Sequence, residues 1–212
     1  MPTLQEFVLE TLTCEHIDQL NFRFGHLLVY PSGYRDDIAG AIRNGRIRLT
    51  SDPAEITSNP HGTSASGSFV ADTPRGEVHP FFINPEFTVS TGGVLHVRDG
   101  LSRSESASLR GTIVHESTHA LQDYQRLGTP DPRAAEGAAY LAGAITAHLW
   151  GYRTVGAIVN PRVSGRSYAI VLAERFLREL PSNRYVISRE DVSILQSLVT
   201  TGGAHRYVFD GI

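Results

Sequence analysis

The chain has 212 residues, of which 41% are hydrophobic and 19% charged, and its formal net charge is −3. A chain of this length buries roughly 70% of the surface that it exposes when unfolded. We therefore expect a single domain, 1–212, that does not need disulfides or a structural metal to fold. Its basic residues are outnumbered and scattered, which argues against a nucleic-acid partner. Cys14 is the only cysteine, which excludes an internal disulfide and a thiolate zinc cluster.

No targeting or membrane segment is visible in the sequence. No apolar run reaches the roughly 18 residues that a transmembrane helix needs. The N-terminal stretch MPTLQEFVLETL is acidic and amphipathic, unlike a signal peptide. We therefore expect a soluble protein with no membrane partner, which is either cytoplasmic or delivered outside the cell without a recognisable signal.

The first half of the chain predicts helices and then strands. Apolar residues at helical spacing predict helices over about 3–14 and 34–43, and the turn NGR ends the second one before the short strand RIRLT. A loop rich in Pro, Gly, Ser and Asn follows at 52–67, and long loops in compact domains are often functional. Alternating runs then predict a small, mostly antiparallel sheet, formed by GSFVA, VHPFFI, EFTVS and GVLHVRD.

Helices predominate in the second half. A long helix is predicted with Ser102 or Ser104 as its N-cap and Gly128 at its end. The next begins at Pro132, behind Asp131 as N-cap. Two more are predicted at 168–180 and 189–199.

The order of helices, strands and helices favours an α+β fold over a parallel βαβ winding. We expect the sheet to pack on the long helix and a mainly helical part to follow. If the domain has two lobes, they comprise about 1–127 and about 128–212.

The segment GTIVHESTHALQDY, 111–124, contains two histidines four positions apart. On a helix, His115 and His119 lie one turn apart on the same face, where two imidazoles can occupy neighbouring corners of a tetrahedral zinc site. Glu116 points about 100° away from His115, so it would lie beside the metal and could take a proton from a bound water. The apolar neighbours of this segment favour a site, because buried polar groups are costly unless they are paired or bound to metal.

A catalytic zinc site of this kind needs a third protein ligand and leaves its fourth position to water. Gln122 and Gln125 stand where the pattern HExxHxxGxxH would require a glycine and a histidine, so that arrangement is absent. Glu136 is the better candidate, because the seventeen positions from His119 suffice to end one helix and begin another. Its neighbours are mostly Ala and Gly, which let two helices approach closely.

Asp123 lies one turn beyond His119 on the same face, and three roles are open to it. It could accept a hydrogen bond from a ligand histidine and so orient the ring. It could replace Glu136 as the third ligand, or it could be a solvated acid at the helix end.

The motif His115-Glu116-x-x-His119 with a helical Glu136 resembles the gluzincin branch of the zincin metallopeptidases. The resemblance covers 104–150 and implies one Zn²⁺ ion held by His115, His119 and Glu136, with Glu116 as general base. It also implies a strand edge above the cleft that binds an extended peptide, for which GVLHVRD is our candidate.

We therefore predict a zinc-dependent peptidase that acts on a peptide or protein substrate. The alternatives are a non-catalytic or inactive zincin-like binding module and a zinc amidohydrolase that acts on a non-peptide substrate. Some small HExxH domains are secreted effectors or toxin domains. An inhibitor or carrier protein is therefore also a possible partner of this chain.

Peptide hydrolysis further needs a hydrogen-bond donor for the developing oxyanion. The sequence offers several candidates without choosing among them: His148, Tyr152, Tyr168, His205 and Tyr207. Tyr140, one turn after Glu136, is expected to pack beside the site. Three more histidines could lie near the cleft: His61, His79 and His96.

Overall fold

The computed structural model describes residues 1–56, 66–70, 77–125, 131–152, 164–179 and 185–199, and within them the fold is α+β. The helices are α1 (Leu4–Thr13), α2 (Ala39–Arg43), α3 (Arg103–Tyr124), α4 (Pro132–Leu149), α5 (Gly165–Glu179) and α6 (Arg189–Leu198). The strands are β1 (Phe22–Phe24), β2 (Leu27–Val29), β3 (Ile47–Thr50), β4 (Gly67–Phe69), β5 (His79–Ile83), β6 (Thr88–Thr91), β7 (Val94–Val97) and β8 (Tyr185–Val186). None of the helices in these ranges combines the length and apolar character of a membrane-crossing segment.

Side-chain caps start the helices that frame the site. Ser102 forms a capping box with Glu105, and this decides between Ser102 and Ser104 as the N-cap of α3. Asp131 accepts a hydrogen bond from the main-chain N–H of Arg133, and Pro132 occupies the first position of α4. The beginnings of these two helices therefore follow from local sequence. The predicted turn at Gly128 lies outside the described residues, as does most of the predicted loop at 52–67.

The strands are mostly antiparallel, as predicted, but they are divided among three small sheets. The orders are β2-β1-β8 and β3-β5-β4, and β6 pairs with β7 in a hairpin. Two pairings, β1 with β8 and β3 with β5, are parallel. The first sheet was not predicted, because strands of two or three residues are too short to display alternation.

The predicted helix at 34–43 is divided into two parts. A π-helical turn, Gly33–Ile38, precedes α2. Gly33 lies against α3, where a Cβ atom would come within 2.5 Å of Leu121 Cδ1. Tyr34 is fully buried next to it, and its hydroxyl lies 2.8 Å from Thr118 Oγ1. The π-helical turn thus packs closely against α3 through Gly33 and Tyr34.

Helix α3 lies at the centre of the fold. It packs against α4, the π-helical turn, β4 and α1. Nearly every residue between Leu109 and Asp123 is buried, whether apolar or polar. Because α3 is covered on several sides, its sequence does not display the single apolar stripe of a surface helix.

Candidate metal centre

Three side chains from two helices converge where α3 meets α4. His115 and His119 lie one turn apart on α3, with ring centroids separated by 5.0 Å. From α4, Glu136 Oε2 lies 3.5 Å from His115 Nε2, and Oε1 lies 3.5 Å from His119 Nε2. The potential ligand atoms of the three residues all lie within 4.8 Å of one another. The structure therefore brings together the side chains that the sequence singled out as metal ligands.

The chemistry and spacing of this cluster suit a zinc ion. Zinc binds imidazole nitrogen and carboxylate oxygen at about 2.0–2.2 Å, so neighbouring ligand atoms of a tetrahedral site are roughly 3.4 Å apart. The two 3.5 Å separations match this value. The side chains of His115 and Glu136 are 17% and 11% exposed, whereas His119 is 3% exposed. The cluster is thus open to solvent on the side of His115 and Glu136.

Small residues allow the two helices to approach so closely. Gly111, one turn before His115 on α3, faces Gly143 of α4. On α4, four alanines with no exposed surface flank Glu136 and Gly143: Ala135, Ala138, Ala139 and Ala142. The short glutamate side chain can reach both imidazoles only because the helix axes are this close. The run of Ala and Gly around Glu136 had indicated such a contact.

The cluster is held together electrostatically without metal. Burial alone would lower the pKa of His119, but the charge of Glu136 and its hydrogen bond outweigh burial and raise that pKa to about 8. Burial would raise the pKa of Glu136, but the two imidazoles overcome it and hold that pKa well below its usual range. A buried carboxylate that stays ionised beside two histidines can receive a cation.

Glu116 lies beside the three potential ligands and is oriented by β4. Its Oε2 accepts a hydrogen bond of 2.9 Å from the main-chain N–H of Phe69, and its Oε1 lies 3.9 Å from His115 Nε2. Strand β4 comes this close because Gly67 has no side chain: a Cβ atom there would lie 2.7 Å from Thr112 Cγ2 and 3.2 Å from Glu116 Cγ. The hydrogen bond thus fixes Oε2 of Glu116, and Oε1 faces His115 of the cluster.

The prediction that GVLHVRD forms the cleft-edge strand is wrong. This segment contains β7, which pairs with β6 along one side. Along the other side, His96 bridges to Thr3 and the N–H of Val97 donates to the carbonyl of Pro2. The second edge of β7 is therefore in contact with the N-terminus at His96 and Val97. Strand β4, at the edge of its sheet, packs against α3.

Asp123 is fully buried, so its interpretation as a solvated acid is wrong. Its Oδ2 lies 3.9 Å from Nδ1 of His79, which is itself 1% exposed. Among the described residues, the cluster that could hold a metal includes Glu136 and not Asp123. The geometry therefore favours Glu136 as the third ligand.

Tyr140 packs beside the site, as expected. Its ring lies edge to face on that of His115, with centroids 4.8 Å apart. Burial raises the pKa of Tyr140, and the negative charges of Glu136 and Glu116 raise it further. The phenol therefore stays protonated next to the cluster and can donate a hydrogen bond.

The other oxyanion-donor candidates among the described residues are not brought to the cluster. Tyr168 of α5 donates a hydrogen bond of 2.7 Å to Asp191 of α6. His148 lies twelve positions beyond Glu136 on α4, about 18 Å along the helix axis, and Tyr152 follows the end of that helix. His61, His205 and Tyr207 lie outside the described residues.

Sequence reasoning missed one polar contact of the cluster. The Oε1 atom of Gln122 lies 3.2 Å from His119 Nδ1, and its Nε2 lies 3.3 Å from the carbonyl oxygen of Ala135. Position 122 follows His119 by three residues and so shares its helix face. That spacing could have indicated a contact between Gln122 and His119. From the sequence, Gln122 was used only to exclude the motif HExxHxxGxxH.

Comparisons with protein-family models, with curated proteins and with solved structures find no match to this chain. The resemblance to gluzincins therefore rests on the sequence motif around His115 and on Glu136.

Proposed function

We propose that this chain is a zinc-dependent metallopeptidase that hydrolyses peptide bonds at the cluster of His115, His119 and Glu136. The observation that carries the proposal is the convergence of this cluster with Glu116 at its side. Two imidazoles and one carboxylate, with a second carboxylate that is not a ligand, form the donor set of catalytic zinc hydrolases. Structural zinc sites are usually closed by four protein ligands, whereas the described residues offer three here.

Glu116 has the position of a general base. A zinc ion at this cluster would supply a Lewis acid that polarises a carbonyl group and lowers the pKa of water. The hydrogen bond from Phe69 holds Oε2 of Glu116 and leaves Oε1 to accept a proton from the attacking water. The same carboxyl group would then deliver that proton to the leaving amine.

Tyr140 is the side chain that we assign to the developing oxyanion. Among the candidates in the described residues, it is the one that contacts a ligand imidazole. Its hydroxyl stays protonated, so it can donate a hydrogen bond as negative charge develops on the carbonyl oxygen. Preorganised donors of this kind act most strongly where water is partly excluded, and Tyr140 is half-buried.

The decisive experiment compares the wild type with Glu116→Gln. The variant should keep its zinc content and fold, and its hydrolysis of a complex peptide mixture should fall by about 10²–10⁴-fold, the range expected for loss of a general base. Glu15→Gln, at an exposed position, is the matched control and should retain full activity.

Three results would contradict the proposal. The wild type could fail to bind zinc, or Glu116→Gln could remain fully active. Alternatively, the zinc-loaded protein could hydrolyse only non-peptide amides, which would make it an amidohydrolase.

A further inference from the structure

We infer that Gln122 is a positioning residue of the metal centre, which sets the tautomer of His119 and ties that ligand to the helix that carries Glu136. The inference rests on the proposed function, because it gives Gln122 a role only if the cluster binds metal. Gln122 is 2% exposed and belongs to α3, three positions after His119. Its amide lies between the imidazole of His119 and α4.

The Ala135 contact determines which way the amide of Gln122 points. The carbonyl oxygen of Ala135 can only accept a hydrogen bond, so the amide end that faces it at 3.3 Å must be the donor Nε2. The opposite end, Oε1, then faces His119 Nδ1 at 3.2 Å. A flipped amide would place two acceptors against each other at Ala135, which is unfavourable.

The orientation of Gln122 in turn determines the tautomer of His119. Because Oε1 can only accept, Nδ1 of His119 must carry the hydrogen. In the neutral imidazole, Nε2 then holds the lone pair, and Nε2 is the atom that lies 3.5 Å from Glu136. Gln122 thus presents the metal-binding nitrogen toward the third ligand.

Gln122 also connects the two helices that supply the ligands. Its acceptor end holds a ligand of α3, and its donor end holds the residue directly before Glu136 on α4. Hydrogen-bond partners behind metal ligands set ring orientation and ligand basicity, and their loss typically costs 10–100-fold in metal affinity.

Gln125 provides a matched control from the same helix end. Its Nε2 donates a hydrogen bond of 3.1 Å to the carbonyl oxygen of Leu28, so it also ties α3 to a neighbouring element. No potential metal ligand takes part in that bond. Gln125→Met therefore removes a comparable tether without touching the cluster.

The first test measures zinc affinity by chelator competition in full-length variants. Gln122→Met keeps the side-chain volume and should bind zinc about 10–100-fold more weakly than the wild type, whereas Gln125→Met should stay within about threefold. Gln122→Glu keeps an acceptor opposite His119 Nδ1 but places a second acceptor against the carbonyl oxygen of Ala135. It should still bind zinc more tightly than Gln122→Met, which a purely structural tether to α4 would not allow.

The second test observes the His119 Nδ1–H group directly, without measuring activity. In the zinc-loaded wild type, this proton should give a separate NMR signal that exchanges slowly with solvent, because Oε1 of Gln122 accepts its hydrogen bond. In Gln122→Met the signal should shift and exchange faster. Thermal unfolding of each variant checks that it is folded.

The outcomes separate this inference from the proposed function. If the wild type binds no zinc, both are wrong. If it binds zinc and Gln122→Met binds equally well, or if Gln122→Met and Gln125→Met lose the same affinity, only the role of Gln122 is wrong. A His119 Nδ1–H signal that is the same in the zinc-loaded wild type and in Gln122→Met would also overturn it.

Discussion

Gly111 of α3 and Gly143 of α4 are in backbone contact, and neither position has room for a side chain. A Cβ atom on Gly111 would lie 2.8 Å from the carbonyl oxygen of Gly143, and one on Gly143 would lie 2.7 Å from that of Gly111. The Gly143 position also adjoins the candidate metal centre, since the added atom would lie 3.2 Å from His115 Cβ. Main-chain atoms cannot yield as a flexible side chain can, so a methyl group must separate the helices.

We expect Gly143→Ala to weaken both the fold and the metal site. Overpacking of this kind typically costs about 1–3 kcal/mol of stability, and separation of the helices would withdraw Glu136 from the two histidines. Urea unfolding and zinc affinity measure the two effects. Gly40→Ala is the control, because no atom lies within 4 Å of its added Cβ and alanine favours a helix by about 0.5–1 kcal/mol. Wild-type zinc affinity in Gly143→Ala would contradict the proposed coupling.

The zinc-free protein should lose stability as pH rises above neutrality. Folding raises the pKa of His119 from its ordinary 6.5 to about 8, so the stability that it contributes is complete below 6.5 and is lost as pH rises through 8. Glu136 has a lowered pKa, so its contribution is present above the ordinary value of 4.5 and is lost as pH falls further. Urea unfolding across these intervals should show both declines, and stability that rises between pH 6.5 and 8 would contradict the first.

Zinc binding should respond to pH in the opposite sense over the same interval. The metal must displace the proton from His119, so zinc affinity should increase as pH rises toward 8 and level off above it. Binding below this value should release protons, which calorimetry in buffers of different ionisation enthalpy detects. Affinity that is independent of pH between 6.5 and 8 would contradict the raised pKa of His119.

Tyr140→Phe tests the donor assigned to the oxyanion. The substitution keeps the ring that packs on His115 and removes only the hydroxyl group. We expect kcat to fall by about 10²–10³-fold, with KM and zinc affinity near the wild-type values. Tyr168→Phe is the control: it loses the hydrogen bond to Asp191, which costs about 1 kcal/mol of stability and should leave kcat unchanged. An unchanged kcat in Tyr140→Phe would remove this residue from the mechanism.

The parts of the site that follow from local sequence were predictable. Ser102 and Asp131 mark the beginnings of α3 and α4 by capping, and the spacing of His115 and His119 places both imidazoles on one helix face. Glu136 was identified because the seventeen positions from His119 suffice to end one helix and begin another, and because the small residues around it indicate a close helix contact. Each of these signals can be read from a short stretch of the chain.

The contacts that join separate elements were not predictable. The hydrogen bond from Phe69 to Glu116 comes from a main-chain N–H, which every residue but proline possesses, so it leaves no mark in the sequence. Asp123 lies at the end of a helix, where most acids are solvated, and its burial depends on β5 packing over it. Strand β7 could not be excluded as the cleft edge until its pairing with β6 and the N-terminus was known.

His79 and Asp123 form a buried pair near the candidate metal centre, and a double-mutant cycle can measure their coupling. The His79 ring stacks on Phe69, the residue whose N–H holds Glu116, with centroids 5.6 Å apart. Its Nδ1 lies 3.2 Å from the carbonyl oxygen of Val70 and 3.9 Å from Asp123 Oδ2. The pair thus connects α3 to the strands that position the base.

We expect His79→Phe and Asp123→Asn each to destabilise the protein by about 1–3 kcal/mol, because each changes the polar contacts of a buried group. The double mutant should lose less than the sum of the two, with a coupling energy of about 0.5–3 kcal/mol in urea unfolding. The exposed pair of Arg48 and Glu55, 2.8 Å apart, is the control, and its coupling should be below about 1 kcal/mol. Strictly additive losses at His79 and Asp123 would show that the two side chains stabilise the fold independently, despite their proximity.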